Sequence, residues 1–143
     1  HDLSEGDLVV SELLANPDAC SDADGEWIEV RNTTGQPIEL AGIELVDASG
    51  NVGTVSGGQI APGAVAVLGR GDTPCGIDPV GTYDAALSLN NGGDTVQMWA
   101  GSTLLDVVTY SGSAVDPDLS WGHDGTDWCQ TEPTPGGANA SCG

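Results

Sequence analysis

The 143-residue chain carries 22 acidic side chains against two basic ones, Arg31 and Arg70, for a formal charge of −20, and it contains no Phe. That balance argues against nucleic acid, whose phosphates need clustered Lys and Arg, and against an anionic membrane surface. No apolar run approaches the ~20 residues that cross a bilayer, and the length fits one domain with a genuine core.

Gly and Pro make up about a fifth of the residues, so frequent turns are expected and long helices are not. Leu8–Leu14 opens as a strand and stops at Asn16-Pro17-Asp18. Trp27–Arg31 alternates: Ile28 and Val30 are expected to point inward, with Glu29 and Arg31 on a wet face. Short strands follow at Ile38–Leu40, Ile43–Val46 and Val52–Val55, then at Ala64–Leu68 behind a Pro-Gly turn. Gly69–Gly81 reads as a long loop. Beyond it, Ala86–Leu89 and Thr95–Trp99 flank Asn90-Asn91-Gly92-Gly93-Asp94, whose tolerance of positive φ favours a hairpin. Leu104–Tyr110 is the last long strand. Ser111–Gly143 is irregular, with one or two short strands around Trp121 and Trp128. This spacing predicts a two-sheet antiparallel sandwich, and the Trp residues are expected in its core or rim. Residues 1–6 read as an N-terminal extension and 7–143 as the domain; no leader is visible, as in a mature or excised chain.

Cys20, Cys75, Cys129 and Cys142 lack zinc-knuckle spacing, so disulfides and an oxidising compartment are the better reading. Of three possible pairings, Cys129–Cys142 is favoured because the tail between them has little apolar content to hold it; Cys20–Cys75 is then the second bond. In the chain-entropy picture these closures contribute about 3 and about 4 kcal/mol.

The stretches "LVVSELLANP", "DGEWIEVRNTTGQPIELAGIELVDASG", "IAPGAVAVLG", "LSLNNGGDTVQMW", "LLDVVTY" and "TPGGAN" together resemble the lamin tail domain over roughly residues 7–139. The resemblance implies an immunoglobulin-like antiparallel β-sandwich of Greek-key type that binds or holds other molecules without catalysing a reaction. Four cysteines, extreme acidity and the lack of a basic patch depart from the nuclear members and favour a bacterial, exported branch.

Several residues invite sharper readings. Asp18, Asp22, Asp24 and Glu26 crowd one acidic loop and are candidate calcium ligands, although the EF-hand register fails at Cys20 and Arg31. A Cys20–Cys75 bond would bring Asp72 and Asp78 toward them. Arg70-Gly71-Asp72 matches an adhesive tripeptide that recurs by chance. His1, with His123, resembles the copper brace of a copper monooxygenase, but a terminal remnant and a surface turn explain both histidines more plainly. Asn32-Thr33-Thr34 and Asn139-Ala140-Ser141 are glycosylation sequons. No nucleophile–base arrangement stands out.

The expectation is therefore a non-catalytic extracellular module (secreted, periplasmic or at the cell surface) that binds a protein or cell-surface polymer. Calcium is the candidate cofactor and membrane insertion is not expected. The alternative is a cation-dependent carbohydrate or adhesion module, and a copper enzyme using His1 ranks third.

Overall fold

The structure, a computed structural model, describes residues 3–18, 25–71, 76–83, 87–112 and 116–142. Among these the regular elements are all strands: β1 (Leu8–Leu14), β2 (Trp27–Asn32), β3 (Ile38–Glu39), β4 (Glu44–Val46), β5 (Val52–Thr54) and β6 (Gln59–Ile60) come first. β7 (Val65–Gly69), β8 (Gly81–Thr82), β9 (Gly93–Ala100), β10 (Thr103–Ser111), β11 (Ser120–His123) and β12 (Trp128–Thr131) complete the chain. A six-stranded sheet has the order β12-β11-β1-β2-β7-β8, a four-stranded sheet the order β10-β9-β4-β5, and β3 pairs with β6. All pairings are antiparallel except β7 with β8.

The core joins these sheets. Leu8, Leu13, Ile28 and Leu68 of the larger sheet share one buried cluster with Leu45, Val96, Met98 and Leu105 of the four-stranded sheet, and with Ile38 and Ile60 of the small one. Burial of this apolar area is the main favourable term in folding. On the far side of the larger sheet, Leu14, Trp27 and Val67 form a second cluster with Ile77 against it. The central strands are thus covered on both faces.

A bulge between Val10 and Glu12 decides which side chains of β1 reach the core. Leu8 and Val10 face inward, and strict alternation would drive Glu12 in after them. The extra residue, Ser11, reverses the parity, so Leu13 points inward and Glu12 turns to the outer face opposite Glu29. A second bulge lies between Leu104 and Asp106 in β10. There Asp106 Oδ2 accepts the Val10 N–H at 2.8 Å, which joins the two layers where β1 is irregular. Burial holds the Asp106 carboxyl above the ordinary carboxylate range.

Most expected strands are present within a residue or two, including β11 and β12 around Trp121 and Trp128 in the tail. Three expectations need correction. Leu87–Leu89 is not a strand; its leucines are buried, but the Leu89 N–H donates to the Glu26 carboxylate, where a ladder bond was expected. Without that strand Asn90–Asp94 does not connect a hairpin. Asp94 accepts from Ala48 N–H and Asn90 N–H, fixing the loop that leads into β9. The β9–β10 hairpin turns instead at Gly101, whose φ of 59° suits a residue without Cβ. Finally, Glu29 is wholly buried.

Gly53, opposite Leu45, lies under the Tyr83 carbonyl, which a Cβ at position 53 would approach to 2.0 Å. Gly53→Ala is expected to cost about 2 kcal/mol or more in denaturant unfolding, while Gly35→Ala, facing open space, stays within about 0.5 kcal/mol.

Candidate functional site

Two carboxylates stand side by side on the outer face of the six-stranded sheet. Glu12 of β1 and Glu29 of β2 are register partners, and both are fully buried. A buried carboxylate needs hydrogen-bond donors in place of the water it has lost. They come from the bulge, from β11 and above all from the segment after β12. Glu12 accepts the Ser120 hydroxyl at 2.6 Å, the Thr134 N–H at 2.9 Å and the Thr134 hydroxyl at 2.8 Å. Glu29 accepts the Ser11 hydroxyl at 2.7 Å and the Gly136 N–H at 2.9 Å.

The same segment is fastened further along. Asn139 Nδ2 donates to the Ser11 and His123 carbonyls at 2.6 and 2.8 Å. The Cys142 N–H donates to Asp124 Oδ2 at 2.9 Å, and Cys142 is disulfide-bonded to Cys129. Asp124 also accepts from Thr126 and Asp127, and these backbone donors lower its carboxyl to about 2. Residues 132–142 therefore form a strap across β1 and β2, anchored at both ends. Asn139 is committed to the strap, and the buried Asn32 donates to the Gln36 and Ile60 carbonyls, so both sequon amides are engaged.

Beside the strap lies a cleft of ≈ 170 Å³, with Glu29, Arg31, His123, Asp124, Gly137 and Asn139 in its walls. Burial raises the Glu29 carboxyl from 4.5 to about 7; the Ser11 and Gly136 donors oppose the shift, and Glu12 adds to it. The arrangement thus presents a carboxyl group that can exchange a proton near neutrality.

A third fully buried acid, Glu26, sits just beyond the β2–β7 ladder. Its Oε2 pairs with Arg70 Nη1 at 2.9 Å, its Oε1 accepts from Leu89, and its carbonyl accepts the Arg70 N–H. Nearby, the Tyr83 hydroxyl is fully buried, and burial raises it well above the ordinary phenol value.

These positions place the candidate residues. Of the calcium set, Glu26 is turned into the protein, Asp18 is exposed with its N–H on Asp118, and Asp22 and Asp24 lie outside the described residues. Asp78 is exposed, and Asp72 lies outside the described residues, as do His1, Cys20 and Cys75. Among the described residues no three His, Cys, Asp or Glu side chains gather in a way that could hold a metal ion. Arg70 of the adhesive tripeptide has its guanidinium on Glu26. His123 lies on Trp128, 5.2 Å between ring centres, and its Nδ1 accepts the Gly125 N–H. The favoured Cys129–Cys142 pair is present, with 5.7 Å between Cα atoms, and a bond of this kind points to an oxidising compartment. No helix among the described residues is long and apolar enough to cross a membrane.

Sequence reasoning missed Glu12 and Glu29. The available signal was a Ser-Glu pair interrupting the apolar period of β1, together with a tail rich in backbone donors and poor in charge.

Residues 2–112 match the Lamin Tail Domain family, and the chain belongs to it. The match takes in β1 to β10 and ends before β11, β12 and the strap, so "TPGGAN" lies beyond it. No curated protein and no solved structure matches the chain.

The two kinds of buried acid respond differently to perturbation. Arg70→Ala removes the cation paired with the buried Glu26 carboxylate and is expected to lower unfolding stability by about 3 kcal/mol or more, measured by urea titration. For Glu29, a carboxyl raised to about 7 contributes stability that is complete below pH 4.5 and is lost as pH rises through 7. The melting temperature is expected to fall across that window. Glu29→Gln should flatten the fall by the equivalent of ~1–2 kcal/mol.

Proposed function

We propose that this member of the Lamin Tail Domain family is an exported, non-catalytic module of bacterial type that binds a protein or cell-surface polymer and helps to hold a larger assembly in place. Charge carries the reading. The chain has 22 acids and two arginines, and one arginine, Arg70, is turned inward onto Glu26. Such a surface repels polyanions and draws cationic or neutral partners, with association that weakens as salt rises. Calcium would serve as an accessory that screens the acidic loops. The Cys129–Cys142 bond supports export.

A specific feature supports the carbohydrate alternative. Trp121 and Trp128 stack with 6.0 Å between ring centres on the β11–β12 hairpin. Trp128 also borders a groove of ≈ 210 Å³ with His123 and Asp106, a combination of ring face and polar groups that suits a sugar.

The oxidised domain should be immobilised and probed with basic and acidic protein panels and a glycan array, with calcium and with chelator. Preferential capture of basic or neutral ligands, weakened at least about tenfold between low and high salt, is the expected result. Tight binding to polyanions, or substrate turnover by the purified domain, would overturn the proposal. Glycan binding abolished by Trp128→Ala and by chelator would establish the alternative in its place.

A further inference from the structure

We propose that residues 132–142 form a proton-sensitive strap: protonation of Glu29 tightens the segment onto β1 and β2, and ionisation loosens it. The geometry suits both states of the group. Ser11 Oγ lies 2.7 Å from Glu29 Oε1 and 3.3 Å from the Glu29 main-chain oxygen. With Glu29 ionised, the serine hydroxyl donates to the carboxylate. With Glu29 neutral, the carboxyl O–H donates to Ser11 Oγ, and the serine hydroxyl turns to the main-chain oxygen. Oε2 accepts the Gly136 N–H in either case. The neutral form thus keeps every bond without a buried charge, and that charge is what the closed strap penalises.

Of the surrounding charges, the stronger influence acts in the same direction. Glu12 faces Glu29 across the ladder and disfavours a second negative charge; Arg31, on the same strand, opposes it more weakly. Val67 faces Glu29 from β7. His123 and Asp124 share the cleft from the β11–β12 turn, and Glu132 is the sole ionisable side chain in the strap, at its outer end. Opening returns water to Glu29 and so favours its ionised form. By linkage, rising pH must favour opening. The Cys129–Cys142 bond keeps the opened segment tethered, so the change is local and reversible.

The test is amide hydrogen exchange of the oxidised protein between about pH 6 and about pH 8, corrected with an unstructured reference peptide. Protection of the Thr134 and Gly136 amides is expected to fall about tenfold across this range in the wild type, to stay level in Glu29→Gln, and to fall as before in His123→Gln. Level protection in the wild type, an unchanged fall in Glu29→Gln, or loss of the fall in His123→Gln would overturn the proposal. If Glu29→Gln does not fold, the carbon-13 carboxyl resonance of Glu29 in the wild type decides. A midpoint near 7 that coincides with the loss of protection supports the strap, and a midpoint below about 5 refutes it.

Discussion

The architecture turns on how two buried carboxylates recover the hydrogen bonds that water no longer gives them. Glu12 and Glu29 lie in the middle of a sheet whose opposite face is closed by the core. Neither can be left without donors, since an unpaired buried carboxylate costs several kcal/mol. Neighbouring strand amides are already used in the ladder. The donors that reach them belong to the Ser11 bulge, to Ser120 at the start of β11, and to Thr134 and Gly136 in the strap. One requirement therefore binds the first strands to the last described residues and fixes the path of a segment with little apolar surface of its own.

Much of the sheet was legible from alternation alone. Ile28 and Val30 lie inward as their spacing demands, and β9 and β10 fall where apolar residues recur between turns. The tail disulfide was legible because a polar, Gly- and Pro-rich segment needs a covalent closure. Glu29 was misread because period-two reasoning assigns a face but not what later covers it. Leu87–Leu89 was misread for a related reason. Its apolar side chains do enter the core, but Glu26, 63 residues earlier, takes the Leu89 amide. Both errors concern polar groups satisfied by residues distant in sequence, which local periodicity cannot register.

The two buried acids of β2 and its approach differ in how their charge is accommodated. Glu26 has a guanidinium at 2.9 Å, whereas Glu29 has a hydroxyl and an amide, with another carboxylate opposite. A full cation makes an ion pair of the first. Neutral dipoles leave the second poised between two protonation states. With so few basic residues in the chain, only one of these sites received a compensating charge, and the other became sensitive to the medium. The family match ends at residue 112, so the sensitive site takes half of its donors from outside the matched part.

The sulfur bridge between Cys129 and Cys142 also determines how the molecule would carry a mechanical load. Traction applied at Cys142 passes directly through the bond into β12 and then into the antiparallel ladder with β11. The loop between the two cysteines is bypassed, so its amides on Glu12 and Glu29 remain slack under tension. Once the bridge is cut by a thiol, the same traction would peel the strap from its carboxylates one contact at a time.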